Sequence, residues 1–184
     1  MDFNKHSNLI GEHSFLSGSK YHWVNYSDDK LFSAYKRYQA VKKGVELHAL
    51  AEHLIRLGVR LPKTKDALNL FVNDAIGYHM HPEQPLFYSV NAFGTADAIC
   101  FRKNLLRIHD LKTGITPVSI HQLEIYTALF CLEYSIHPED IQTELRIYQS
   151  SEIFVHSPTP EETKYLMEKI IRFDKIIEDI KLEE

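Results

Sequence analysis

Phe93-Gly94-Thr95-Ala96-Asp97-Ala98-Ile99-Cys100-Phe101-Arg102-Lys103-Asn104-Leu105-Leu106-Arg107-Ile108-His109-Asp110-Leu111-Lys112-Thr113-Gly114 is the stretch around which the chain is organised. Two short apolar and β-branched runs, Thr95 to Phe101 and Leu105 to Leu111, flank the polar trio Arg102-Lys103-Asn104, which is the pattern of a β-hairpin. A two- or four-residue loop centred on Lys103-Asn104 pairs residues whose numbers sum to 207 and brings Asp97 opposite Asp110. A three-residue loop would undo that facing. Opposed side chains stand ~5 Å apart at Cβ and two carboxylates there repel, so something positive belongs between them. Alternation of period two puts Lys112 on the face of Asp110 and Leu111 on the other, while Ile99, Phe101, Leu106 and Ile108 continue the acidic face towards the turn.

One sheet face thus passes along its length from hydrocarbon to Asp, Asp and Lys. Buried charge is costly unless it is paired or metal-bound. Two carboxylates at this separation suit a hard divalent cation such as Mg2+ or Mn2+, and a nearby ammonium can orient or help deprotonate an attacking water. The reaction class this suggests is phosphodiester hydrolysis. Asp-x-Lys also arises by chance, and an ion pair between Asp97 and Lys112 on a solvated edge has the same signature.

At 184 residues the chain is most simply one domain, 1–184, with residues 1–14 polar and loose. A net charge of −4 supplies no global basic field, which argues against a protein that coats DNA nonspecifically and leaves a locally basic groove open. The 11 histidines are scattered rather than grouped in a tract. Cys100 and Cys131 read as core residues in a reducing compartment, and two cysteines build neither an iron-sulfur cluster nor a four-cysteine zinc site. Neither a signal peptide nor a membrane-spanning run is apparent, so the chain reads as cytoplasmic, with no membrane partner.

In chain order, Leu16-Ser17-Gly18-Ser19 looks like a helix start capped by either serine, and Asp28-Asp29 interrupts or restarts that helix. Trp23, Tyr26, Phe32, Tyr35 and Tyr38 recur at helical spacing; core packing is the first account of them, and stacking on bases the second. Gly44 to Leu57 forms an amphipathic helix with Val45, Leu47, Leu50, Ala51, Leu54 and Ile55 inward, and His48 among them reads either as a core histidine or as a metal ligand. Thr64 to Tyr78 forms the next helix. His79, His81 and Glu83 read mostly as surface, and Pro85 to Val90 as an edge strand. Beyond the hairpin, Pro117 lies in the first turn of a helix from Val118 to Tyr134, where Gln122 and Tyr126 share one side. Ile141 to Gln149 and Ile153 to His156 alternate as strands, and Thr159-Pro160-Glu161-Glu162 caps a last helix to Leu182.

In this order the segments resemble the PD-(D/E)XK superfamily of nucleases, and within it the RecB-like group that includes many phage-encoded recombination exonucleases. The matching residues run from Leu16 to Tyr126. An early Leu-x-Ser segment is matched by Leu16-Ser17-Gly18-Ser19, and Gly-x-x-x-His on a helix by Gly44 to His48. Gly-x-x-Asp is matched by Gly94 to Asp97, acid-x-Lys by Asp110-Leu111-Lys112, and Gln-x-x-x-Tyr by Gln122 to Tyr126. Each motif is weak alone; their order on the expected elements is what is specific.

The resemblance implies an α/β (α+β) restriction-endonuclease-like core, a central mixed sheet flanked by helices. It implies that His48, Asp97, Asp110 and a backbone carbonyl, that of Leu111, hold one or two Mg2+ or Mn2+ ions. Asp97, Asp110 and Lys112 would carry catalysis, with Lys112 acting on the water or the scissile phosphate, and Gln122, Tyr126, Ser17 and Ser19 would contact substrate. The implied partner is DNA, with a homo-oligomer or a recombination partner protein as further company, in the cytoplasm of a bacterial host if the chain is phage-encoded. The cysteines of iron-sulfur members and a helicase segment are missing. The alternative from another class is a non-catalytic DNA-binding, assembly or regulatory protein on the same scaffold; the acidic net charge suits a protein partner at least as well as DNA.

Overall fold

The computed structural model describes residues 4–11, 13–114 and 119–183. The chain divides into two compact units, Met1–Val45 and Glu46–Glu184. Helix α1, Asp28–Leu57, passes from one into the other; then come α2 (Ala67–Gly77), β1 (His81–Ser89), β2 (Ala92–Arg102), β3 (Leu105–Lys112), α3 (His121–Glu133), β4 (Gln142–Gln149), β5 (Glu152–His156) and α4 (Pro160–Glu183). The expected single helix beginning near Gly44 is instead the second half of α1, with Asp28-Asp29 restarting the chain after a 3-10 helix over Gly18–Asn25. Ser17 stands at the N-cap of that 3-10 helix without a capping bond from its side chain. Pro117 and Val118, the expected first turn of α3, lie outside the described residues.

In the second unit five strands in the order β1-β2-β3-β4-β5 make a mixed sheet: β1, β2 and β3 run as an antiparallel meander, β4 is parallel to β3, and β5 returns antiparallel to β4. A parallel pair requires a crossover, and α3 supplies it. The result is the expected α+β class, a mixed sheet flanked by helices and consistent with a restriction-endonuclease-like core.

The central hairpin follows from its turn. Lys103 and Asn104 both take left-handed backbone (φ 50° and 59°), as a two-residue type I′ turn demands. The ladder from Ala98↔His109 to Arg102↔Leu105 keeps the expected sum of 207. Two cores flank the sheet. Ala51 and Ile55 of α1, with Phe71, Val72 and Ala75 of α2, pack on Ala98, Cys100, Leu111 and Tyr148. Leu123, Leu129 and Phe130 of α3 pack on Ile99, Leu106, Ile108, Leu145 and Ile147.

Strict alternation fails at one place. Ala98 and Cys100 belong to the α2 core, yet Ala96 belongs to the α3 core, so β2 changes faces at Asp97. Across the ladder from that switch Glu83 has φ 48°, and a left-handed residue inside a strand breaks its pleat.

Under α2, Tyr148 donates to Asp74 Oδ2 (2.7 Å), so its hydroxyl accepts from His109 Nδ1–H (3.1 Å), which fixes that tautomer. Burial, with Arg146 and Arg107 adding to it, drives the His109 pKa down to about 3. The unfolded chain protonates first, at about 6.5. Stability from neutral His109 is therefore fully present above pH 6.5 and is lost as pH falls towards 3. Denaturant unfolding at pH 7.5 and pH 5 should show the wild type losing about 2 kcal/mol more than His109→Asn. Equal losses would remove His109 as the cause.

Candidate metal centre

The end of the hairpin far from its turn gathers the acidic residues. Asp97 at the face switch of β2 accepts the Leu111 backbone N–H on Oδ2 (2.8 Å), which ties β2 to β3 beyond the last paired residues. The same Oδ2 stands 3.3 Å from His48 Nδ1 of α1. On β3, Asp110 is 2% exposed, and its Oδ1 receives Lys112 Nζ at 3.0 Å. Lys112 Nζ also donates to Gln122 Oε1 (2.9 Å), and Gln122 Nε2 donates to the Tyr126 hydroxyl (2.9 Å). His48, Asp97, Asp110, Lys112, Gln122 and Tyr126, scattered along the chain, thus meet at one end of the sheet. The spacing of Gln122 and Tyr126, one turn apart on α3, lets them act as a single strut behind Lys112.

Glu83, expected at the surface, belongs to the site. Pro82↔Ala98 and Gln84↔Ala96 bracket Glu83 and leave it opposite Asp97. His48, Glu83 and Asp97 each offer one ligand atom, all within 4.8 Å of one another, and this trio could hold a metal ion. Glu83 joins that group from a left-handed backbone; strained non-glycine backbone of this kind persists where the surroundings over-determine it, as at ligand sites. Extending β1 back to His81 in the sequence would have put Glu83 in register with Asp97; a strand started at Pro85 hides it. Asp110 stands one step away from the trio, and the Leu111 backbone is drawn into the site through its N–H.

Electrostatics mark the site as short of positive charge. Burial raises the Asp110 pKa above the ordinary carboxylate range, Asp97 adds to it, and Lys112 opposes. Burial and then Asp97 raise Glu83 as well. The hydrogen bond to Asp97 holds the His48 pKa above its usual value, against the pull of burial. Asp110 Oδ2 is buried with no hydrogen-bond partner among the described residues. A buried carboxylate oxygen is ordinarily satisfied, so a cation fits the gap that this donor set leaves. Three carboxylates and an imidazole are hard or borderline ligands, suited to such an ion.

Gly94 has a steric reason. A Cβ built there would meet Tyr126 Cε1 at 2.7 Å, so only glycine leaves room for the ring that backs Gln122. Gly94→Ala should cost about 1–3 kcal/mol through overpacking. In the Gly94→Ala/Tyr126→Ala protein that penalty should vanish, a coupling that thermal unfolding of the four proteins would measure. Additive losses would mean the ring is not what excludes a side chain.

Ser17 and Ser19 belong to the first unit, where their hydroxyls bond each other at 2.7 Å and the Ser17 carbonyl accepts Trp23 Nε1–H (3.0 Å). Comparisons with protein-family models, curated proteins and solved structures found no match. Among the described residues, no helix is long and apolar enough to cross a membrane.

Proposed function

We propose that this chain is a Mg2+- or Mn2+-dependent deoxyribonuclease of the PD-(D/E)XK type, an exonuclease working in phage or bacterial DNA recombination and repair. The observation that carries it is the juxtaposition of a buried, half-satisfied Asp110, paired with Lys112, and the His48-Glu83-Asp97 trio. A structural ion pair would leave neither an orphaned oxygen nor three further ligand groups beside it.

When bound, the cation would polarise the phosphate and lower the pKa of the attacking water. His48, Glu83, Asp97 and Asp110 would hold it. Lys112 has two of its three N–H donors engaged by Asp110 and Gln122 among the described residues, which leaves one to meet charge building on the phosphate. Gln122 and Tyr126 keep that ammonium in place, and the Leu111 amide fixes the Asp97 carboxylate. The test is incubation with linear and covalently closed circular DNA, with Mg2+, with Mn2+ and with chelator. Cation-dependent loss of the linear form alone is expected; survival of both forms in both metals overturns the proposal.

A second reading, a non-catalytic assembly protein, is favoured by the half-exposed row Phe173, Ile176, Ile177 and Ile180 on α4. It gives the same result in that assay with and without metal.

A further inference from the structure

The two units carry opposite charge. Residues 1–45 hold seven Lys and Arg against four Asp and Glu, and the remaining residues hold fourteen against twenty-one. A site built from carboxylates in a net acidic unit repels a polyanion at a distance. The basic unit also carries uncovered aromatic side chains. Of the rings expected to be core, Phe32 (66% exposed), Tyr35 and Tyr38 lie on the surface and Trp23 and Tyr26 are half-buried; Tyr21 beside them is exposed as well. Leu31, Tyr35, Tyr38, Val41 and Val45 recur every three or four residues along the first half of α1 and form one exposed face.

Lys30, Lys36, Arg37, Lys42 and Lys43 interleave with these rings. Lys30 Nζ lies 4.6 Å from the Tyr26 ring centre and Lys36 Nζ 5.5 Å from that of Phe32. Phe15 packs edge-on to Tyr35 at 5.1 Å, and beside them a largely apolar hollow of about 480 Å³ is bounded by Phe15, Leu16, Leu31, Phe32 and Tyr35 together with Asp28. Ring faces set among ammonium groups are how proteins hold single strands: bases stack while the phosphates meet the cations. A duplex keeps its bases stacked inside and has no use for exposed rings or an apolar hollow.

We propose that the first unit, through the Phe32-Tyr35-Tyr38 side of α1 and its flanking lysines, is a binding surface for single-stranded DNA that uses none of the residues of the metal centre. The choice of DNA as the polyanion rests on the nuclease reading; the surface itself does not.

The test is fluorescence anisotropy of the full chain with a labelled oligothymidylate of about 20 nucleotides and with a duplex of equal length. Chelator is present throughout, so no cleavage is required. The single strand should bind more tightly than the duplex, and more weakly as salt rises. Arg37→Glu/Lys43→Glu should weaken it at least tenfold and flatten the salt dependence, and Phe32→Ala should weaken it about tenfold. Circular dichroism checks that each variant keeps its helix. Should the double reversal unfold α1, Phe32→Ala decides.

The proposal is overturned if Phe32→Ala binds as the wild type does, if the duplex binds as tightly as the single strand, or if sedimentation shows copies associating through this face with no oligonucleotide bound. A protein that cuts DNA in Mn2+ but binds the single strand no better than its variants keeps the nuclease reading and loses this one. One that binds through this face and never cuts does the reverse.

Discussion

Lys112→Ala is expected to lower the rate of DNA cleavage by about two to three orders of magnitude, the usual loss when one preorganised donor is removed from a place where charge develops. The Lys112 ammonium is held between Asp110 Oδ1 and Gln122 Oε1, so it is aimed before substrate arrives. Alanine removes both the charge and the aim. Lys112→Arg keeps the charge, but its planar fork does not reproduce a point donor in a gap between two oxygens, so it should restore only part of the rate. Gln122→Ala should fall between wild type and Lys112→Ala, because it frees the ammonium without deleting it. Single-turnover cleavage of a linear duplex in Mn2+ gives these rates, with the thermal midpoint as the control for folding. A Lys112→Ala protein as fast as wild type would remove Lys112 from the reaction and with it the main reason for reading Asp110 as catalytic.

How much of this centre was legible depends on which local rule was unbroken. The β2–β3 register followed from Lys103-Asn104, because a two-residue turn leaves no freedom in the pairing beyond it. Asp110, Lys112, Gln122 and Tyr126 were legible for the same reason: period two on β3 and one helical turn on α3 are short-range geometry. His48 was ambiguous from spacing alone, since a histidine on an apolar helix face looks the same as a ligand or as core, and the resemblance picked it out. Glu83 is hidden because its φ of 48° breaks the alternation by which strands are recognised, so the pattern marks β1 only from Pro85 although the strand begins at His81. The apolar pattern marks a helix only from Gly44, where an inward face begins, whereas α1 runs straight through that position from Asp28. Tyr35 and Tyr38 show the complementary limit: helical spacing establishes that side chains share a face and says nothing about whether anything covers it.

Glu83→Gln should make the metal-free protein more stable and the metal-loaded one less so. Without a cation, Glu83 is a carboxylate beside Asp97, its pKa raised first by burial and then by that neighbour. Removing its charge relieves repulsion that solvent screens, a gain of less than about 1 kcal/mol, or roughly 1–3 °C in midpoint. With Mn2+ at about a hundred times its dissociation constant, ligation stabilises the wild type by about 2.7 kcal/mol, or roughly 5–10 °C, and an amide in place of one carboxylate forfeits most of that. The two melting curves should therefore exchange order between chelator and Mn2+. A residue that only packs gives the same ranking in both conditions. Glu83→Gly separates the backbone from the ligand: at a left-handed position glycine relieves strain as well as charge, so it should exceed Glu83→Gln in chelator, while its rise in midpoint on adding Mn2+ should be as small as that of Glu83→Gln. If instead all three proteins rise by the same amount on adding Mn2+, Glu83 binds no metal, and its left-handed backbone is there to turn the strand.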